Sequence, residues 1–519
     1  MSSLHSSEEV DHLTTLPNEI LHNIFQWAAP GDLATLPQVC RALYGFIRGN
    51  HKLYRDIYLN ILDEPPNGEA LDWEAELRDL AKLQTICRRE EVAKKENELD
   101  FVYGVVNRLL KNASPTGYAI EYSDTQYASK NADILDGFFR EETNRVAFLQ
   151  KSSLFERVYK SQDRCLLPGK LAMEVRQQSA KLHCLRGQPI LNVGRLRSTS
   201  TYPYACSKVY DLRNYTTLTK WGPFMDDESG RVDWEKVEAI LVVLGNNVMS
   251  KRLSRVFNDI WESPFTGSWP KSFISSPASD ISSLDAIDPY GITGTWYRVV
   301  CFLDYNDFFS FNYPPSEAMR AQAFRPPSTI VAPGPEYHQD YPVVHFKGCS
   351  RPLDDAWDDN ASSAIRGVVG MTKEGEVRWT TYSIFHGQER WKSEGVQIGG
   401  MRSARGVVGN WFDRDYDPHG PVGPTAFWKA SDDENARDLH APIHALIPSE
   451  FLLWGTLIEM AELADSDPEG DMDFTIQEED DDDVEENESG SELIDSELPD
   501  LLIDAQLEII EVTHEREQA

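Results

Sequence analysis

Two stretches, LPNEILHNIF (residues 16–25) and DLATLPQVCRALY (residues 32–44), decide how the first part of the chain folds. Pro17 and Glu19 are residue types favoured in the first turn of a helix. Pro30-Gly31 predicts a turn before a restart at Asp32, and Gly49-Asn50 ends a further helix. One apolar face is predicted on the first helix, and it comprises Leu16, Ile20, Leu21, Ile24 and Trp27. We therefore predict a compact three-helix unit over 13–62, preceded by disordered residues 1–12.

This unit resembles an F-box in the order and spacing of Leu-Pro-x-Glu-Ile-Leu, Asp-Leu-x-x-Leu and Val-Cys-Arg-x-Leu-Tyr. It departs from the family pattern at Leu43, where many F-boxes have Trp. The resemblance implies docking on the Skp-type adaptor of cullin–RING ubiquitin ligases. So few short helices cannot bury all their aliphatic side chains, and an apolar face should remain for a partner. The predicted adaptor-binding residues are Leu16, Pro17, Ile20, Leu21, Ile24, Phe25, Leu33, Leu36, Val39, Cys40, Leu43 and Tyr44.

Beyond a break at Pro65-Pro66-Asn67-Gly68, the apolar spacing is helical. We predict a mainly helical scaffold over 70–260. Within it, Asp233 is predicted to cap a helix that buries Val237, Ile240 and Leu244 and ends at Gly245.

Glycine, threonine, valine and aromatic residues dominate from about residue 285. Arg366-Gly-Val-Val-Gly370 recurs as Arg405-Gly-Val-Val-Gly409, and Gly291-Ile-Thr-Gly294 has the same Gly-x-x-Gly frame. Alternating apolar and polar residues follow each copy. The pattern predicts an antiparallel β barrel or sandwich over 285–430, with the glycines at strand starts on one side. Gly294-x-Trp296 resembles the first strand of lipocalin-type barrels, where Trp296 would close one end of the core.

Charge is concentrated at the end of the chain. The net charge is −35, and residues 465–519 contain 23 acidic residues against one basic residue, Arg516. This composition predicts a disordered acidic tail that is dispensable for folding. Residues 440–464 are predicted to form a helix packing on the body. The acidic balance argues against binding nucleic acid or an anionic membrane, and no stretch is apolar enough for a transmembrane helix.

The seven cysteines are odd in number and widely spaced, which is typical of reduced thiols in the cytoplasm or nucleus. The sequence contains no phosphate-binding loop, His-Glu-x-x-His or Gly-x-Ser-x-Gly motif. We therefore predict a protein that is not an enzyme and that needs no cofactor or metal.

The overall prediction is an α+β protein with an N-terminal three-helix F-box, a helical middle segment, a C-terminal antiparallel barrel or sandwich and a disordered acidic tail. Segments around Trp234, Trp296 and Trp428 are similar to those of large fungal F-box proteins. We interpret the chain as the substrate-recognition subunit of an SCF-type ligase, bound to adaptor and cullin, with an unknown protein target. The alternative is a β-barrel protein that binds or converts a small molecule and whose F-box controls its own turnover.

Tryptophan and arginine are the residue types most often dominant at binding surfaces. Those in loops beside the glycine repeats are therefore predicted to bind the target, with packing in the core as the competing role for each Trp. The predicted target-binding residues are Arg351, Trp357, Arg390, Trp391, Arg402, Trp411 and Trp428.

Overall fold

The computed structural model describes ten segments of the chain. The described residues are 13–66, 71–114, 129–161, 172–191, 201–250, 264–273, 288–313, 337–352, 362–431 and the backbone of 503–514. The predictions for residues 1–12 and for a helix over 440–464 lie outside these residues.

Helices form the first half of the protein, as the sequence predicts. Side-chain oxygens cap several of them: Asn50 accepts from the Leu53 N–H, Asp72 from Ala75 and Ser129 from Ala132. The helices are α1 Asn18–Phe25, α2 Leu36–Val39, α3 Arg41–Ile47, α4 His51–Ile61, α5 Trp73–Cys87, α6 Val92–Glu96, α7 Leu99–Lys111, α8 Lys130–Phe139, α9 Glu142–Phe148, α10 Ser153–Ser161, α11 Met173–Arg186, α12 Thr201–Val209 and α13 Trp234–Ser250, with α14 Tyr305–Asn312 following the first strand.

Helix α13 is the central element of the scaffold. Asp233 accepts a hydrogen bond from the Lys236 N–H at 3.2 Å, so the predicted cap is confirmed. Val237, Ile240 and Leu244 are fully buried, and α13 packs on α11, α12 and the outer faces of β1, β6 and β7. The helix continues past Gly245 to Ser250, because a glycine inside a well-packed helix costs only about 1 kcal/mol.

The C-terminal part is an antiparallel sheet that curls and closes. Its order is β1-β7-β6-β5-β4-β3-β2-β8, which makes a meander of β2 to β7 with β1 beside β7 and β8 between β1 and β2. The strands are β1 Gly294–Leu303, β2 Val344–Pro352, β3 Ser363–Met371, β4 Val377–Phe385, β5 Gln388–Gln397, β6 Val407–Asp413, β7 Val422–Ser431 and β8 Ile503–His514.

The interior of the barrel is packed with aromatic rings at one end. Trp296 is 1% exposed, makes edge contacts with Trp379 and Phe427 at 5.3 and 5.8 Å, and donates from Nε1 to the Ile292 carbonyl at 2.8 Å. The prediction that Trp296 closes one end of the core is therefore confirmed. We call this end of the barrel the Trp296 end and the opposite end, where α14 follows β1, the α14 end.

The glycine repeats gather near the Trp296 end but do not all start strands. Gly294 is the first residue of β1, and Gly406 directly precedes β6. The copy of the repeat at Arg366–Gly370, in contrast, lies inside β3. The β3 copy reaches the same end of the barrel because β3 runs towards it. At Gly406, φ is +94° and an added Cβ would lie 2.6 Å from the Phe427 carbonyl oxygen, so the backbone approach requires glycine there.

Strand β8 corrects the prediction of a disordered tail for residues 503–514, whereas residues 465–502 and 515–519 lie outside the described residues. Ile503–His514 pairs antiparallel with β1 over ten residues and with β2 over seven. Composition averaged over residues 465–519 hid a twelve-residue segment, IDAQLEIIEVTH, that is half apolar. Hydrogen bonding on both edges supplies the stability that this segment lacks alone.

A buried ion cluster lies on the outer wall of the barrel, beneath the scaffold segment around Phe224. Glu394 is completely buried and accepts two hydrogen bonds from Arg378, at 2.8 and 3.0 Å. Lys392 Nζ lies 3.0 Å from the same carboxylate, and Thr380 donates to it at 3.0 Å. Burial alone would raise the pKa of Glu394, but Arg378 and Lys392 hold it below its usual value.

Candidate functional site

The helical unit at residues 13–62 divides its apolar side chains between a core and a surface. Its core includes Leu21 and Phe25 of α1 and Leu43 and Ile47 of α3, which pack with α4. This core is part of one hydrophobic cluster that continues through the scaffold to the outer wall of the barrel. The unit is therefore fixed to the rest of the protein by packing.

An exposed apolar stripe runs along α1. Ile20 and Ile24 are each 45% exposed and lie one turn apart on α1, and Trp27, in the turn that follows the end of α1 at Phe25, is 73% exposed. We call these three residues the α1 stripe. Exposing a Trp to this extent on a small helical unit is unfavourable unless a partner covers it, so the stripe is a candidate docking surface.

The structure places the predicted adaptor-binding residues in three environments. Leu21, Phe25, Leu33 and Leu43 are buried in the unit's own core, because α4 covers that side of α1 and α3. Leu16, Leu36 and Cys40 are half-buried, and Pro17, Ile20, Ile24, Val39 and Tyr44 are exposed. Sequence periodicity assigned Trp27 to the helix face but omitted it from the site, although it is the most exposed of the large apolar side chains in this unit.

A groove of about 640 Å³ lies between α1 and the α3–α4 segment, on a different side of the unit. Asn18, His22 and Asn50 are among its lining residues, and His22 Nε2 lies 2.8 Å from the Asp56 carboxylate. Because this lining is largely polar, the α1 stripe is the better candidate for an apolar contact.

Residues 13–60 match the family model described as F-box-like. The chain therefore contains an F-box-like domain. The matched residues include the α1 stripe and helices α1 to α3. No curated protein and no solved structure shows significant similarity to the chain.

The predicted target-binding residues do not form one surface. Trp411 and Trp428 are 7% and 2% exposed, so both are core residues, and Trp357 lies outside the described residues. Arg390 and Trp391 are near the α14 end, whereas Arg402 belongs to the β5–β6 hairpin at the Trp296 end. Arg351 is half-buried on β2.

A continuous chain of aromatic rings crosses the α14 end instead. Ring centroids are 5.1 Å apart for Trp391 and Trp411, 5.6 Å for Trp411 and Phe302, and 4.8 Å for Phe302 and Tyr305. The series continues through Phe309 to Tyr313, at 6.2 and 5.8 Å.

The chain of rings ends where Tyr313 stacks on His419 of the β6–β7 loop at 5.5 Å. We call the seven residues from Trp391 to His419 in this series the aromatic chain. Tyr305 and Phe309 are 53% and 42% exposed, and the Arg390 guanidinium lies 5.1 Å from the Trp391 ring centroid.

The aromatic chain places two exposed aromatic side chains, Tyr305 and Phe309, at the α14 end of the barrel, and the residues predicted from the sequence included only Trp391 and Trp411 of its members. The signal was present in Asp304-Tyr-Asn-Asp-Phe-Phe-Ser-Phe, a capped helix with aromatics on several faces. The cap is visible in the structure, where Asp304 accepts from the Asn306 N–H at 2.8 Å.

The described interior of the barrel offers little room for a ligand. An added Cβ at Gly367 would lie 2.3 Å from the Phe346 ring, and one at Gly423 would lie 2.6 Å from the Trp411 ring, so aromatic side chains fill the space. The buried ionisable side chains among these described interior residues are cations. Arg298 donates to the Thr425 hydroxyl at 3.2 Å, and Lys429 donates to the Gly291 carbonyl at 2.8 Å.

Within the described parts of the chain, no group of three His, Cys, Asp or Glu side chains is arranged to hold a metal ion. Nor does any helix there have the length and apolar character needed to cross a membrane.

Proposed function

We propose that this protein is the substrate-recognition subunit of an SCF-type cullin–RING ubiquitin ligase. The α1 stripe would contact the Skp-type adaptor, and the β domain would hold a target protein. The observation that carries the proposal is the F-box-like domain over 13–60, in which Ile20 and Ile24 on α1 and Trp27 in the turn after it are exposed. A receptor of this kind acts by proximity, because it raises the effective concentration of a target lysine at the charged conjugating enzyme.

The continuous core supports this role. A receptor must hold its target at a defined distance from the ligase, and a rigid link between the two binding sites favours that. In this chain the hydrophobic cluster runs from Leu21 to Trp428, and Lys181 of α11 is ion-paired with Glu376 of the β3–β4 turn at 2.6 Å. The six described cysteines are free thiols, which fits a reducing cytoplasm or nucleus.

Removing the α1 stripe should abolish adaptor binding without unfolding the protein. For the double variant Ile24→Ala/Trp27→Ala we expect at least a 30-fold weaker dissociation constant for a purified Skp-type adaptor. Truncating a Trp at the centre of an interface typically costs 2 kcal/mol or more. The measurement is a calorimetric or interferometric titration, with the melting temperature recorded for each variant.

The matched control is Met249→Ala, which removes a 58% exposed apolar side chain far along α13. It should leave adaptor binding unchanged. An unaltered affinity in the double variant would contradict the assignment of the α1 stripe. Leu21→Ala should lose binding only together with a lower melting temperature, since Leu21 belongs to the core.

The aromatic chain is the proposed target-binding surface. We expect Tyr305→Ala/Phe309→Ala to lose the proteins that accumulate on the tagged receptor when cullin activity is blocked, while the adaptor is retained. Aromatic anchors dominate such interfaces, and these two side chains are exposed beforehand.

Tyr341→Ala is the control, because Tyr341 is 42% exposed but lies before β2 at the Trp296 end. Quantitative mass spectrometry of the purified receptor is the measurement. Equal recovery of the same proteins with both variants would exclude the aromatic chain as the target site.

A further inference from the structure

The strand position between β1 and β2 has an unusual occupant. Neighbouring strands β2 to β7 follow one another in a meander, but β8 enters from about 70 residues beyond the end of β7 at Ser431. It contributes its backbone to two ladders, with ten paired residues on β1 and seven on β2. If β8 leaves, both flanking strands present unpaired N–H and C=O groups, which is the geometry that accepts an added strand.

The charges along the three strands are complementary. Strand β8 contains Asp504, Glu508 and Glu511 and no Lys or Arg. The flanking strands contain Arg298 on β1 and Lys347 and Arg351 on β2, and neither contains Asp or Glu.

The register places acidic positions of β8 opposite, or one pair away from, basic positions of the flanking strands. Glu508 lies opposite Arg298 in the ladder with β1. Glu511 lies opposite Cys349 in the ladder with β2, and Lys347 and Arg351 are the next-but-one residues on either side of Cys349. In antiparallel sheets, directly opposite and diagonal positions are the ones at which opposite charges on neighbouring strands stabilise the pairing.

We propose that this strand position is a peptide-binding site for an extended segment of the target protein, and that β8 occupies it while no target is bound. The partner is a segment of about ten residues, partly apolar, with two acidic residues three positions apart and no Lys or Arg. This inference rests on the proposed function, since it assumes that the β domain binds a protein target.

The position of the aromatic chain fits this exchange. Ile503 lies opposite Leu303, so β8 begins at the α14 end, next to Phe302 and Tyr305. A target anchored on the aromatic chain would present its extended segment at the α14 end of the strand position between β1 and β2. Such anchoring raises the local concentration of the target segment to the mM range of a tethered strand, which allows it to compete with β8.

The test uses the full chain with a protease-recognition sequence inserted after Gly490. After cleavage, we expect the fragment carrying β8 to remain with the body in size-exclusion chromatography. Excess fluorescent peptide with the sequence of residues 503–514 should then displace the fragment and bind with one-to-one stoichiometry. A peptide with Glu508→Lys and Glu511→Lys should bind at least tenfold more weakly.

Charge exchange provides the matched control. In a body with Lys347→Glu and Arg351→Glu, a peptide carrying only Glu511→Lys should bind better than the unaltered peptide. Lys347 is exposed and Arg351 half-buried, so these substitutions should leave the fold intact, and circular dichroism checks that. Equal binding of all peptides, absence of saturable binding, or an uncut dimer in which β8 comes from a second copy would overturn the proposal.

Measuring the adaptor affinity of the cleaved protein distinguishes a failure of the strand-site proposal from a failure of the proposed function. Strand exchange does not involve α1, so adaptor binding should be unchanged by cleavage and by every peptide. Loss of adaptor binding in the intact chain would contradict the receptor role, whereas a failed peptide exchange with normal adaptor binding would contradict only the strand site.

Discussion

Replacing Glu394 by Gln is expected to lower the free energy of unfolding by about 3–5 kcal/mol, the usual cost of breaking a buried ion pair from one side. The substitution keeps the shape of the side chain but leaves Arg378 and Lys392 without their counter-charge, and both are less than 10% exposed. Urea or thermal unfolding at pH 7 measures the difference.

The pH dependence of this loss has a defined sign. Because the pKa of Glu394 is lowered in the folded protein, its carboxylate stabilises the fold above the ordinary pKa of about 4.5. That contribution disappears as the pH falls below 4.5, so the difference between the variant and the parent should shrink in acid.

Glu389→Gln is the control for this prediction. Glu389 also pairs with two arginines, Arg366 and Arg414, but those side chains are 41% and 47% exposed. Solvent screening limits such pairs to about 1 kcal/mol or less. Equal losses from the two substitutions would mean that Glu394 is not buried by the scaffold.

Replacing Lys236 by Met is expected to stabilise the protein. Lys236 on α13 is 2% exposed, and no hydrogen-bond acceptor for its Nζ is present among the described residues. Burial lowers its pKa to about 7, although Asp233 opposes the shift. The Nζ atom lies 3.9 Å from the Tyr215 ring centroid, a contact that favours the charged form.

A lysine whose folded pKa lies below its unfolded value of 10.5 destabilises the fold as the pH falls through that interval. The penalty begins below pH 10.5 and is complete at about pH 7, where it amounts to about 4–5 kcal/mol. After subtracting roughly 1–2 kcal/mol for the lost contact with Tyr215, we expect a gain of about 3 kcal/mol.

The gain from Lys236→Met should be much larger at pH 7 than at pH 10. Denaturant unfolding at the two values provides the measurement, and Lys94→Met, at an exposed position on α6, should change little at either. A gain that is independent of pH would mean that improved packing, and not removal of a buried charge, is responsible.

Local signals in the sequence were sufficient for the helical half of the fold. Asp233 caps α13 as predicted, and the order of elements in the F-box-like unit follows from its proline, glycine and apolar spacing. The division of that unit into core and surface was not predictable from the sequence. Leu21 and Ile20 both lie on the apolar side of α1, and only the packing of α4 buries one and exposes the other.

Core and surface residues of the barrel were harder to distinguish from the sequence, because both faces of its wall are covered. Trp411 and Trp428 lie on strands whose interior faces pack on aromatic rings and whose outer faces pack on α13. Alternation of polar and apolar residues therefore does not separate core from surface. Strand β8 was missed for a different reason: its pairing partners on β1 and β2 are about 210 and 160 residues away, and local composition carries no information about them.

The distance in sequence between β1 and β8 also governs how the protein is made. A ribosome adding about 5–20 residues per second completes β8 roughly 10–40 s after β1. During that interval the F-box-like unit and the scaffold can already fold. The edges of β1 and β2 that later pair with β8 have no partner strand in the same chain. Newly synthesised chains are therefore most prone to edge-to-edge aggregation just before synthesis reaches Ile503, and molecular chaperones should bind them at that stage.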